Sequence, residues 1–357
     1  MRVLITGITG MAGSHLAEFL LEQGEIQVYG TYRPRSRFDN LDGLREQGRL
    51  RILEGKIDSP ADLRERNKPD AANLLEVDLT DPWSTLRLVR AVQPERIFHL
   101  AAQSFVLVSF AAPAQTLEAN IAMQLNLFEA VREEGSAGAV RIHIAGSSEE
   151  YGLVHDYEVP IRESNPLRPL SPYAVSKVTQ EMLAYQYNQS YGLHTVVTRG
   201  FNHTGPRRGE VFATSSFAKQ IAEIEAGLRP PVVYVGDLEP KRDWTDVRDM
   251  VRAYWLALEH CPPGEVYNTG SENAFRVGDM LQTLIGLSRV EIKVQRDETR
   301  LRPSDVPILY SDCTKFKEAT GWQPEIPFEQ TLRDLLDYWR ARIARGSGAR
   351  GTTTGAR

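Results

Sequence analysis

The chain is short of cysteine, has no long apolar run and carries no marked excess of either charge. Among 357 residues only Cys261 and Cys313 are cysteines. They have no metal-ligand spacing, which excludes a disulfide framework, leaves no metal site to expect, and fits a reducing compartment. No stretch reaches the roughly 18 apolar residues that a spanning helix needs, so no membrane partner is expected. Near the start, Gly7, Gly10 and Gly13, then His15 and Glu18, interrupt any signal-like apolar segment. The expected location is cytoplasmic. Lysine and arginine total 42 against 47 acidic residues, a formal net charge of −5, which gives no reason to expect a nucleic-acid partner. The remainder, 41% hydrophobic and 25% charged, is ordinary for a globular chain long enough for one large domain or two smaller ones. No internal repeat stands out.

What is present begins with RVLIT, a short β-branched run, followed by GITGMAG and the amphipathic HLAEFLLEQG. This reads as strand, glycine-rich turn and helix, with Gly24 as C-cap. Gly7, Gly10 and Gly13 let the backbone approach a pyrophosphate, and the helix N-terminus attracts its charge. Thr9 and Met11, between those glycines, are counted with them as cofactor-binding. The next strand, residues 26–32, selects the dinucleotide. An NAD site has an acid near the end of that strand to hold the ribose 2′-hydroxyl. Here Gly30 takes that place and Arg33, Arg35 and Arg37 follow, which suits a 2′-phosphate and favours NADP.

Residues 74–81, LLEVDLTD, read as a buried strand ending at Asp78 and Leu79, with Asp78 expected to face the adenine. The strand at 96–100 ends in small residues. Leu100, Ala101, Ala102 and Ser104 there would let a nicotinamide ribose lie against the backbone. A long amphipathic helix at 113–135 and a strand at 140–148 follow, and the alternation closes with LHTVVTRGFN. Strand–helix alternation argues an α/β fold with a Rossmann-type, doubly wound parallel sheet over residues 1–204. Beyond 204 the rhythm changes. Residues 205–343 read as a smaller C-terminal substrate-binding α/β part, interleaved with the first. Residues 344–357 contain almost nothing apolar and are expected to be disordered.

Before the closing strand the chain reads AGSSEEYG and then SPYAVSK. Ser171 can cap a helix whose first residue is Pro172. Tyr173 and Lys177, four apart, then share one helix face. A phenol beside an ammonium ionises more readily, so Tyr173 is a candidate acid/base for a hydroxyl or carbonyl. Glu150 would point away from Glu149 in an extended segment and is read as structural.

The glycine turn, the strand-end Ser147 and the Tyr173/Lys177 pair together resemble the extended short-chain dehydrogenase/reductase superfamily. Within it the chain is similar to the GDP-mannose 4,6-dehydratase and GDP-4-keto-6-deoxymannose reductase group over residues 1–343. The segments AAQSFVLVSF, SSEEYG, SPYAVSK, FNHTGPRRGE, KRDWTDVRDMV, LRPSDVP and DCTKFKEATGWQPE carry the likeness. The resemblance implies an NADP-dependent enzyme on a GDP-sugar. Ser147, Glu149, Tyr173 and Lys177 would be catalytic, and His203 and Arg208 would touch the cofactor. Arg242 and Arg302 would hold the diphosphate, with Lys219 nearby and Asn202 on the sugar side. It also implies a homodimer or homotetramer, built on the helices at 113–135 and 173–191 and on the loop at 33–37. The dehydratases carry threonine where this chain has Ser147; a serine hydroxyl can still donate to the sugar O4.

Two activities follow from the same residues. A dehydratase oxidises C4 of GDP-mannose, loses water across C5 and C6, and returns the hydride to C6 to give GDP-4-keto-6-deoxymannose. A reductase uses Ser147, Tyr173 and Lys177 to protonate a 4-keto oxygen. A third reading, a silent NADP-binding module, is disfavoured by the intact Ser, Tyr and Lys. The carboxylate at Glu149 is what dehydration requires.

Overall fold

The computed structural model describes residues 1–55, 57, 59–300 and 306–351. Eight strands form one sheet. In spatial order they are Val266–Thr269, His194–Gly200, Arg141–Ala145, Arg96–His99, Arg2–Thr6, Gln27–Tyr32, Ala72–Glu76 and Leu50–Leu53. Every neighbouring pair is parallel. The order reverses about the first strand, whose Thr6 pairs with Thr31 on one side and His99 on the other. In a doubly wound sheet that reversal opens a crevice beyond the strand C-termini.

Both faces are covered, so the strands are apolar on both sides. Val3 and Ile5 point into a core shared with Leu16, Leu20, Met250 and Tyr254. These come from the helices Met11–Glu22 and Val247–His260. Leu4 points the other way, into a core with Ile97, Leu127, Phe128 and Ile142. The helices Pro82–Val92, Pro113–Glu133 and Pro172–Tyr191 pack in series on that face. The alternation of Val3, Leu4 and Ile5 between two cores is the period-two geometry of a strand.

The chain leaves the large sheet at Gly200 and enters a small one within two residues. Asn202–Thr204 pairs with Lys241–Asp246, which also pairs with Ala274–Arg276 and Ile308–Leu309. A separate ribbon joins Val232–Val235 to Lys293–Arg296. Phe217, Leu281, Leu332, Leu336 and Trp339 fill a core of its own beneath this region. The last helix, Phe328–Gly351, runs into the stretch expected to be disordered. Arg342 reaches Asp39 and Arg345 reaches Glu46 at 3.4 Å, which tie it to the loop after the second strand. Residues 352–357 lie outside those described. No helix among the described residues is long and apolar enough to cross a membrane.

Candidate active site

A cleft of about 730 Å³ opens where the large sheet hands over to the small one. The glycine turn forms one wall. Gly7 takes a left-handed φ of 74°. A Cβ on Gly13 would sit 2.5 Å from the Gly7 carbonyl oxygen, so only glycine lets the turn close on the helix behind it. Thr9, Gly10 and Met11 line the cleft with these glycines. Gly30 has a different reason: a Cβ there would lie 2.3 Å from Ile8 Cδ1. It pairs with Ile5 in mid-strand, so it is not the ribose position. The strand ends at Tyr32, and Arg33 and Ser36 line the cleft there. The Ser36 hydroxyl accepts the Arg33 N–H at 3.0 Å. Arg37 instead pairs with Asp39 at 2.7 Å.

Leu79, Leu100, Ala101, Ala102 and Ser104 line the cleft, but Asp78 does not. Its carboxylate accepts from Thr80 N at 2.9 Å and Thr80 Oγ1 at 2.7 Å. This Asx turn holds Asp78 in solvent and carries Leu79 past it into the cleft.

The residues expected to be catalytic line the same cleft. Ser171 caps the long helix, its hydroxyl accepting from Ala174 N at 3.1 Å. That helix presents Tyr173 and Lys177 to the cleft. Opposite, Ser147 stands two residues past the strand Arg141–Ala145 and caps one 3-10 turn, Ser148–Glu150, with its hydroxyl accepting from Glu149 N at 3.2 Å. The turn is not extended, so the alternation expected of Glu149 and Glu150 does not apply. Glu149 lines the cleft, and Glu150 turns into the core, fully buried.

The electrostatics differ from a simple ion-pair picture. Burial pushes the Tyr173 phenol up, its hydrogen bond to Ser147 lowers it, and the charge of Glu149 raises it again. Lys177 Nζ donates to the Ala145 carbonyl at 2.8 Å and stands 5.9 Å from the Tyr173 ring centroid. Burial brings its pKa down to about 8. The cation whose charge lowers the phenol is Arg208, and burial outweighs it.

Asn202, His203, Arg208 and Arg242 close the far side. His203 Nδ1 lies 3.1 Å from the Phe201 carbonyl, and burial holds its pKa down at about 4. Arg208 lies over the Phe212 ring at 3.5 Å, and burial lowers it to about 10. Its buried Nε has no hydrogen-bond partner among the described residues. A buried cation with an unmet donor, lining the same cleft as the glycine turn, fits a phosphorylated dinucleotide.

Lys219 is not in the cleft. It pairs with Glu210 and with Glu223 at 3.6 Å, and lies over the Trp339 ring at 5.6 Å. Two carboxylates therefore hold it away from a diphosphate. Arg302 lies outside the described residues. Two positions earlier, Arg300 does line the cleft, and its Nη1 donates to Ser216 Oγ at 3.2 Å. Tyr254 also lines the site. Its ring packs on His143 at 4.4 Å, and no motif marked it. No cluster of metal-ligating side chains occurs among the described residues.

A doubly wound parallel sheet, a glycine turn at its reversal and a Ser147–Tyr173–Lys177 centre define an extended short-chain dehydrogenase/reductase. Within that class the chain belongs to the GDP-mannose 4,6-dehydratase family, whose model matches residues 4–335. It is 36% identical to the GDP-mannose 4,6-dehydratase of Yersinia enterocolitica, over 94% of this chain and 92% of that one. It is 35% identical to the GDP-6-deoxy-D-mannose reductase of Pseudomonas aeruginosa, over 77% and 88%. Among solved structures, the RMD protein of Pseudomonas aeruginosa complexed with NADPH superposes with a TM-score of 0.76 at 29% identity, covering 96% of this chain and 99% of that one.

Proposed function

We propose that the protein is an NADP-dependent GDP-mannose 4,6-dehydratase, converting GDP-mannose to GDP-4-keto-6-deoxymannose. One observation carries the reading above all. Glu149 shares the cleft with Ser147 and Tyr173, close enough for its charge to act on the Tyr173 phenol. A reductase needs the last two; loss of water needs a carboxylate beside them.

Bound NADP, held by the glycine turn, Arg33, His203, Arg208 and Lys177, supplies temporary storage for one hydride between C4 and C6. Tyr173, in its phenolate form, takes the proton of the sugar 4-hydroxyl, while Ser147 donates to O4. A carbonyl at C4 acidifies the C5–H bond, since the resulting enolate spreads its charge onto O4. Glu149 takes that proton and delivers one to the departing 6-hydroxyl, releasing water. The proton left on Tyr173 equals the one C5 must regain, so the net change is loss of one water. Asn202 on the sugar side and Arg242 on the diphosphate complete the binding set, and Arg300 is added to it for its place in the cleft.

Val175, Met182 and Tyr185, 40%, 49% and 55% exposed on one helix, support a homodimer joined through that face. Light scattering that gives a monomer would end that part of the proposal. The buried free cysteines Cys261 and Cys313 accord with a cytoplasmic setting. The reductase alternative is tested by offering NADPH with a 4-keto-6-deoxy GDP-sugar. The dehydratase leaves NADPH unspent, whereas steady NADPH consumption makes the protein a reductase.

A further inference from the structure

Glu150 sits directly behind the catalytic turn. Its Oε1 accepts the Ser147 N–H at 2.6 Å. A Cβ on Gly146 would lie 2.8 Å from that oxygen, so the glycine leaves the space the carboxyl fills. Oε2 receives no N–H or O–H group among the described residues. Arg199 Nε stands 3.7 Å from it, but this guanidinium is already committed. Its Nε and Nη2 donate to Glu181 at 2.7 and 2.6 Å. Its Nη1 donates to Tyr151 Oη at 2.9 Å and the Glu163 carbonyl at 3.0 Å. The Glu181 carboxylate lies against the Glu150 carboxyl, near enough for its charge to act on it.

Glu150, Glu181 and Arg199 are all buried. Two ionised carboxylates against one guanidinium would leave a net buried charge, and two carboxylate oxygens face to face repel. One proton removes both costs. Placed on Glu150 Oε2 it becomes the donor that Glu181 can accept, and each oxygen is then satisfied. The other charged groups around this carboxyl do not replace that proton. Lys177 gives a hydrogen bond to Ala145 O, and Glu163 adds a carboxylate that accepts Asn268 N at 2.7 Å.

We propose that Glu150 is a protonated carboxylic acid at neutral pH, bridging the Ser147 N–H and the Glu181 carboxylate and so fixing the turn that aims Ser147 and Glu149. Burial, foremost, and then Glu181 push its pKa well above the carboxylate range, in accord with this. Glu150 is a positioning residue: the proton never reaches substrate. Its effect on turnover rests on the dehydratase reading above, whereas its protonation does not.

The test joins infrared spectroscopy with kinetics. At neutral pH the wild-type spectrum contains the carbonyl stretch of a protonated carboxylic acid, and Glu150→Gln loses it. A glutamine keeps both contacts, accepting from Ser147 and donating to Glu181, so its kcat stays within about threefold of wild type. Glu150→Leu removes both contacts and lowers kcat on the order of 10²-fold, with KM for GDP-mannose little changed. A wild-type protein without that band overturns the proposal. So does a glutamine variant as inactive as the leucine one, or a leucine variant with wild-type kcat. If the leucine variant does not fold, the band and the glutamine variant decide. Wild-type protein that shows the band but does not dehydrate GDP-mannose would refute the proposed function and leave Glu150 as described.

Discussion

Glu149 and Glu150 are neighbours in one turn, yet one lines the cleft and the other is sealed in the core. The 3-10 geometry separates them, since a single tight turn swings successive side chains to different sides. At the residue scale the working pH follows from Lys177. Burial holds its pKa near 8, so the ammonium that would anchor the nicotinamide ribose is present below that pH and lost above it. The expected kcat profile therefore falls as pH rises through about 8. A profile flat to the ordinary lysine range, about 10.4, would contradict this.

At the scale of elements, the turn after the first strand has the least tolerance. Gly13→Ala puts a methyl 2.5 Å from a backbone oxygen that cannot withdraw. The helix start must shift, and NADP affinity measured by calorimetry should fall on the order of tenfold or more, about 1.4 kcal/mol; unchanged affinity would refute the role given to the turn. This element was legible in the sequence because strand, glycines and helix are contiguous and local sterics dictate the shape. The cap at Ser171 and the Tyr173/Lys177 face were legible for the same reason. Legibility ended where long-range partners decide. Asp78 was drawn into a turn by Thr80, and Lys219 was held by Glu210 and Glu223. At Gly30, expected at the ribose position, Ile8 and not a ligand requires the glycine. Tyr254 reaches the cleft more than a hundred residues after Ser147, through packing that no local pattern encodes.

At the scale of the whole molecule, pH also acts on stability. Burial holds His99 and His143 at about 3, and His15 and His203 at about 4. Unfolded, each titrates near 6.5, so below that pH the unfolded chain binds protons that the folded one refuses. The stabilisation is full above about pH 6.5 and is lost as pH falls toward 4. For buried His99 and His143 the loss is about 1.4 kcal/mol each per pH unit. Urea unfolding midpoints should drop steeply across this window; a midpoint that holds steady between pH 6.5 and 4.5 would contradict this account.

The central claim is that Glu149 makes this cleft a dehydrating one. The direct measurement is the product mass after purified protein is incubated with GDP-mannose and a catalytic amount of NADP. The prediction is a product lighter by one water with wild-type protein, and none with Glu149→Gln. GDP-mannose recovered with its mass unchanged by the wild-type protein, or a glutamine variant that still releases water at the wild-type rate, would contradict it.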